Sequence, residues 1–254
     1  MHPLLFQIGP LKVYSFGVMM ALGFVAGYYV VRSHLLRRGL PGDLAGSIFL
    51  SALVGGVAGG RVYYALEHWH ELMSDPAGVL LSTGGLTYYG GLIGGAVGVA
   101  WIIHRNRASY AICADAAGPG ITIGYILGRV GCQLSGDGDY GRPSTLPWAM
   151  SYPHGTVPTL DRVHPTPVYD VLMCVPIFLL LLYLRRRPHT DGNPWGVFLI
   201  LTGLQRFVVE FWRRNPIVWH GLTAAQLFSL LMVVLGMLTP TLFRAVDARR
   251  SRVR

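Results

Sequence analysis

The sequence predicts an all-α membrane protein: a bundle of seven transmembrane helices with a small extracytoplasmic loop or head region. Three observations predict it. Of 254 residues, 52% are hydrophobic and only 13% charged, with a mean hydropathy of +0.44, far from soluble-domain averages. Seven apolar stretches approach the about 20 residues that a helix needs to cross a bilayer. Arginine is unevenly shared between the segments that join them, as expected where cytoplasmic loops collect Lys and Arg.

The first stretch, 13–31, follows "MHPLLFQIGPLK", which lacks the basic n-region and small-residue cleavage site of a signal peptide, so no cleaved leader is expected. The second and third, 44–66 and 85–103, share a glycine habit: Gly55/Gly59 and Gly56/Gly60 in one, Gly90/Gly94/Gly98 and Gly91/Gly95 in the other. Small residues four apart let helix backbones approach closely in lipid, so these two helices are expected to touch. Between them, 67–84 places His68, Trp69, Leu72 and Met73 in a pattern suited to a short interfacial helix. The fourth stretch, 108–128, leads into 132–165, which is long, rich in Gly and Pro and too polar to span. A loop of that length tends to be functional or disordered; it is expected to be the extracytoplasmic one. The fifth stretch, 166–184, starts in "HPTPVYD", where Pro165 and Pro167 suit a helix start. The sixth and seventh run over 194–212 and 222–243, and the whole of 1–254 reads as one integral membrane domain.

The segments after stretches one, three, five and seven hold thirteen basic residues, from Arg32 to Arg254, and the other side five: Lys12, Arg142, Arg162, Arg213 and Arg214. The N-terminus is therefore expected outside and the C-terminus in the cytoplasm. The net charge of +9 then reflects topology and contact with anionic membrane lipid; it calls for no nucleic-acid partner. Cys113, Cys132 and Cys174 have no CxxC spacing, so neither a disulfide framework nor a metal site is indicated.

Three arginines remain: Arg61 near the end of stretch two, Arg129 at the end of stretch four and Arg206 inside stretch six. Each lies toward the outer side. A charge within the span costs at least about 2.5–3.5 kcal/mol on insertion scales, so such residues usually face the protein interior and mark a functional path. Arg206 has a visible partner in Glu210, one helical turn on. Asp115 stands out as the one clearly embedded acid beyond that motif, too few for a proton relay.

The ordered motifs "VYSFGVMMALGF", "GGRVYYAL", "LTYYGGLIGG", "GRVGCQLSGDGDYGR" with "LPWAMSYP", "HPTPVYD", "GLQRFVVEFWRR" and "LTAAQLFSLLMVVLG" together resemble the prolipoprotein diacylglyceryl transferase family. The resemblance covers nearly the whole chain. It implies a bacterial inner-membrane enzyme with seven passes. Its reaction would move the diacylglyceryl group of phosphatidylglycerol onto the lipobox cysteine thiol in the signal peptide of a prolipoprotein, releasing glycerol phosphate without a cofactor or metal. The partners so implied are phosphatidylglycerol, the precursor peptide and membrane lipid.

The resemblance places Arg129 at the family's phosphatidylglycerol-binding arginine and Arg206 at its second essential arginine; Arg61, by its shared depth, and Glu210, by its spacing to Arg206, are expected beside them. Gly131, Gly136 and Gly141 would let backbone N–H groups approach a headgroup. Asp137 falls at a family acid, suited to orient Arg129 or a substrate hydroxyl. The chain also departs from the family. Tyr89 stands where the best-studied branch carries a histidine proposed as general base, and acts there as base, hydrogen-bond donor or wall. Cys132 replaces an asparagine, Phe16 and Thr202 replace tyrosines, and Asp139 is an inserted residue in "GDGDYG". A lipid-binding or transport protein without transfer, and a lipid transferase with a different acceptor, stay open as other readings.

Overall fold

The computed structural model describes residues 1–81 and 87–252, so the start of the third predicted stretch, at 85–86, and the end of the 67–84 segment lie outside the described residues. In chain order the elements are β1 (Leu4–Ile8), β2 (Leu11–Tyr14), α1 (Ser15–Arg37), α2 (Asp43–Glu67), α3 (Trp69–Ser74), α4 (Pro76–Leu81), α5 (Tyr88–Arg105), α6 (Tyr110–Ser135), β3 (Met150–Tyr152), β4 (Thr159–Val163), α7 (Thr166–Leu184), α8 (Asn193–Val209), a 3-10 turn (Glu210–Trp212), β5 (Ile217–Trp219), β6 (Leu222–Thr223) and α9 (Ala224–Arg252). The strands form three separate antiparallel pairs. Two compact units arise, Met1–Val31 with Ala114–Arg254 and Arg32–Cys113, dividing within α1 and α6.

This is a mostly helical, integral membrane protein. Among the described residues six helices are long and apolar enough to cross a bilayer: α1, α2, α6, α7, the Asn193–Trp212 stretch of α8 with its 3-10 turn, and Ala224–Phe243 of α9. Each matches a predicted stretch. The helix at the third one, α5, has 18 residues with five glycines, ends in His104 and Arg105, and is not among these six.

In the unit Arg32–Cys113, α2 and α5 pack backbone to backbone through the two glycine rows. A methyl on Gly59 would fall 2.7 Å from Gly94 Cα, and one on Gly98 would fall 2.7 Å from Ser51 O. Thr87, just before α5, donates its hydroxyl to Gly60 O at 3.1 Å. The predicted interfacial segment is two short helices, α3 and α4, with Trp69 and Met73 exposed.

In the other unit α6 runs seven residues beyond its expected end, so Arg129 and Gly131 are helical and the loop expected from 132 begins at 136. Polar residues stay in this last stretch because they have interior partners: Gln133 Oε1, for example, accepts from the Tyr152 hydroxyl at 3.0 Å. The helix stops at Gly136, whose φ of +59° is left-handed and whose N–H donates to Cys132 O at 2.9 Å, a glycine C-terminal cap. The returning chain satisfies the last carbonyls, with Thr156 N–H on Ser135 O and Val157 N–H on Gly136 O. The loop itself folds around the β3–β4 hairpin and a small core of Tyr140, Tyr152 and Val163.

Asp115, embedded in α6, is a cap for another helix. Its carboxylate accepts the N–H of Gly192 at 2.8 Å and of Trp195 at 2.9 Å, at the start of α8. Those N–H groups have no partner inside their own helix, and a negative charge is favoured at that end.

The close glycine contact makes a test. Gly59→Leu is expected to disrupt the α2–α5 pair, lowering both the yield of monodisperse protein in mild detergent and its melting midpoint, since overpacking costs about 1–3 kcal/mol or more. Gly17→Ala, where a methyl meets nothing within 4 Å, should leave both unchanged. An undisturbed Gly59→Leu protein would contradict the contact.

Candidate active site

The site is built where α6 and α8 end and α7 begins. Arg129, in the penultimate turn of α6, lays its guanidinium over the Tyr125 ring at 4.9 Å, a stacking that suits its flat, weakly hydrated cation. Its Nε lies 3.1 Å from Asp170 Oδ2 and its Nη1 is paired with Asp139. Asp170, in the second turn of α7, has no exposed surface, and its other oxygen accepts from Gln205 of α8 at 2.6 Å. A buried carboxylate is tolerated only when paired and hydrogen-bonded in this way.

Arg213, just past the 3-10 turn, joins both acids. Its Nη2 is 3.3 Å from Asp170 and 3.5 Å from Asp139. Two carboxylates thus bridge the same two guanidiniums, one sealed in the protein and one partly exposed: the Asp170 side chain exposes 0% and the Asp139 side chain 39%. Burial pushes the Asp139 carboxyl up, but Arg129 and Arg213 beside it outweigh burial and hold it below the usual carboxylate range. It is an anion at neutral pH.

Arg206 pairs with Glu210 at 2.9 Å. Glu210 is fully buried and its Oε1 accepts from Asn215 at 2.6 Å and the Thr223 hydroxyl at 2.8 Å. Arg206 also lies within electrostatic reach of Arg213, Tyr125 and Asp170, so three arginines and three acids form one balanced cluster. Among the described residues, three buried donors in it have no hydrogen-bond partner, Arg206 Nη1, Arg213 Nε and the Tyr125 hydroxyl, against one acceptor, Glu210 Oε2, which faces Arg206 only as an ion pair. Leaving such groups unsatisfied costs about 1–3 kcal/mol each, and a ligand offering several acceptor oxygens removes that cost.

The loop after α6 is pinned beside this cluster. Arg142 donates from its N–H to Trp212 O at 2.8 Å and from Nε to Arg213 O at 3.0 Å, while Arg214 Nε donates to Gly141 O at 2.8 Å. An aromatic group flanks it: Trp148 Nε1 donates to the Tyr169 hydroxyl at 2.8 Å, and His164 Nδ1 lies 3.1 Å from the same oxygen. Burial pulls the His164 imidazole below its ordinary value, so this ring is neutral at neutral pH.

Of the residues singled out in the sequence, the fold gathers Arg129, Arg206 and Glu210. Asp137 stands at the edge, accepting the Asp139 N–H at 3.3 Å; the carboxylate on Arg129 is Asp139. The glycines have packing reasons: a methyl on Gly131 would meet Phe16 and Met19 at 3.2 Å, and one on Gly141 would meet Thr166 at 2.9 Å. Arg61 and Tyr89 belong to the unit Arg32–Cys113, where Arg61 Nη1 donates to Val79 O of α4 at 3.4 Å and Tyr89 is exposed in the first turn of α5. Cys132, Asp137 and Asp139 bring three ligand atoms within 4.8 Å of one another, as do Asp115, His189 and Asp191. Asp139 and Asp115 are already committed to arginines and to a helix cap.

Asp170, Arg213, Gln205 and Tyr125 were not singled out by the sequence. Asp170 is an acid inside the 166–184 stretch, so Asp115 is not the one embedded acid outside "RFVVE". Arg206, Glu210 and Arg213 fall at i, i+4 and i+7, the spacing of one helix face, a signal that an outer-loop count of arginines conceals.

Fold and site together define a helical membrane protein with an arginine-rich cluster of buried charges where α6 and α8 end and α7 begins. A family model for prolipoprotein diacylglyceryl transferase matches residues 3–241. Phosphatidylglycerol--prolipoprotein diacylglyceryl transferases of Chromohalobacter salexigens and Geobacter sulfurreducens are 35% and 34% identical, over 92% of this chain in each case and 89% and 92% of theirs. That of Clostridium tetani is 28% identical over 93% of this chain and 95% of its own. The chain belongs to the prolipoprotein diacylglyceryl transferase family.

Asp170→Ala is expected to destabilise the purified protein by about 3–5 kcal/mol, the usual cost of leaving buried charges uncompensated, read as a large drop in melting midpoint. A midpoint within a degree or two of wild type would show that Asp170 does not hold the arginines.

Proposed function

We propose that the protein transfers the diacylglyceryl group of phosphatidylglycerol to the lipobox cysteine thiol of a prolipoprotein, forming a thioether and releasing glycerol phosphate. The observation that carries this reading is the cluster of three arginines with buried, unpartnered donors, in a chain whose relatives bear that activity in their names.

The chemistry asks for such a cluster. The thiol loses its proton, its sulfur attacks the glycerol carbon of the diacylglyceryl group, and the carbon–oxygen bond to phosphate breaks. The electron pair stays on the leaving glycerol phosphate, whose charge grows from one to two as it departs. Fixed guanidiniums aimed at that growing charge lower the barrier without reorganising. Arg129, held by the Tyr125 ring and Asp170, and Arg206, held by Glu210, are the proposed clamp. Arg213 completes it, and Arg61 is a further proposed headgroup ligand. Gly131, Gly136 and Gly141 shape the backbone around Arg129. Tyr89 is the proposed thiol base, with Asp137 as a polar group at the rim.

In the same reading α5 is also a membrane pass, the third of seven, the N-terminus is outside, the C-terminus is in the cytoplasm of a bacterial inner-membrane protein, and the loop between α6 and α7 that carries the β3–β4 hairpin is an extracytoplasmic head. The protein acts as one domain with lipid and peptide substrates and no nucleic acid. The arginine asymmetry of the joining segments supports this orientation. A cysteine introduced at Ser144, in the segment between α6 and β3, is expected to react with an impermeant thiol reagent added outside the cell; reaction only from the cytoplasmic side would overturn the orientation.

The function is tested by incubating the purified protein with labelled phosphatidylglycerol and a lipobox peptide. Label should move to the peptide cysteine, and peptide with cysteine changed to serine should stay unlabelled. Absence of transfer would refute the reading. Arg129→Lys keeps the charge but loses the planar fork, so it should lose most activity. If Tyr89 takes the thiol proton, Tyr89→Phe should lower the rate at least about 100-fold; full activity would exclude it as base.

A further inference from the structure

Asp139 occupies two of the arginines that the proposed reaction needs. Its carboxylate bridges Arg129 and Arg213 from the open side, while Asp170 bridges the same pair from the sealed side. The two acids differ in what holds them. Asp170 is locked by Gln205 and has no exposed surface. Asp139 keeps 39% of its side chain exposed, and no bond but those to the arginines holds its carboxylate among the described residues. Its backbone is fixed separately: the Thr166 hydroxyl donates to its carbonyl, and its N–H donates to Asp137. Gly138 before it has a φ of +93°. The carboxylate can therefore swing away about its own side-chain bonds without the loop moving.

We propose that Asp139 is a resident anion on the phosphate seat: it neutralises Arg129 and Arg213 in the resting enzyme, is displaced by the phosphate of the lipid, and returns to help expel the glycerol phosphate. This makes it a specificity-determining residue. With Asp139 in place, the pair Arg129 and Arg213 faces two carboxylates and carries no net charge. With Asp139 displaced, the pair and Asp170 present one positive charge to the incoming phosphate. An anionic phosphodiester gains from that exchange, and a ligand without net negative charge gains much less. The exchange also costs little, because a half-exposed carboxylate returns to water more readily than a sealed one. Glycerol phosphate, with its second negative charge, would otherwise stay on three arginines; the returning carboxylate competes for two of them.

The inference rests on the proposed transfer for the identity of the anion, and its test is read by binding as well as by turnover. Full-length protein in nanodiscs is compared with Asp139→Asn and Asp139→Ala. If the carboxylate holds the seat about nine-tenths of the time, the competent fraction is about one tenth, and removing it tightens apparent affinity about tenfold. Both variants should therefore show a lower Kd for phosphatidylglycerol and stronger inhibition by glycerol phosphate. A merely structural role predicts weaker binding in both. A second measurement uses the wild-type protein: carbodiimide labelling of Asp139, read by peptide mass spectrometry, should rise when glycerol phosphate is added, because the displaced carboxylate leaves its arginines. Unchanged or weaker binding in the folded variants, or labelling that stays constant or falls with glycerol phosphate, overturns the inference. A wild-type protein that binds phosphatidylglycerol but transfers nothing would refute the proposed reaction while the exchange is still read from affinity and labelling.

Discussion

The carboxylate of Asp170 is the constraint on which the site depends. It sits in α7 with no exposed surface, and its two oxygens take Gln205 from α8 on one side and Arg129 of α6 and Arg213 on the other. Three segments distant in sequence, the end of α6, the start of α7 and the end of α8 with the turn after it, are thereby tied at one point. In a membrane, where apolar surface gives helices little reason to choose each other, polar contacts of this kind fix which helix ends meet. The loop after α6 is fixed in turn through Asp139 on Arg129 and Arg213, and through the side chains of Arg142 and Arg214, which donate to the carbonyls of Arg213 and Gly141.

The same contacts explain why a charge-rich cluster survives where charge is costly. Each acid is spent on more than one donor: Glu210 on Arg206, Asn215 and Thr223, and Asp170 on Gln205 and two arginines. Among the described residues, what stays unsatisfied in the cluster is mostly on the donor side, at Arg206, Arg213 and Tyr125, with Glu210 Oε2 the one acceptor. An excess of buried donors, framed by rigid helix ends, is the arrangement that favours a phosphate whose charge rises during reaction.

The membrane class and helix positions were legible in the sequence because they depend on apolar length and on glycine spacing, both local properties. The α2–α5 contact followed from Gly55, Gly59, Gly90 and Gly94 alone. The site was legible only in part. Arg129 and Arg206 announced themselves as charges in apolar stretches, and Glu210 as a partner one turn away. Asp170 carried the same signal but lay beside "HPTPVY", where prolines drew the reading toward a helix start. Arg213 was concealed among loop arginines. That Asp139, not Asp137, reaches Arg129 depends on how the loop turns at Gly136 and Gly138 and on Thr166 holding the Asp139 carbonyl, contacts across 27 residues that no local pattern encodes. The extent of α6 past Arg129 likewise depended on a tertiary partner, Tyr152 on Gln133.

The central claim is that the arginine cluster is the seat of the lipid phosphate. It is tested most directly by an experimental structure of the protein with phosphatidylglycerol bound. The account predicts phosphate oxygens within hydrogen-bond distance of Arg129 and Arg206, with the Asp139 carboxylate turned away from Arg129. A phosphate bound elsewhere, with the Arg129–Asp139–Arg213 bridge intact, would contradict it.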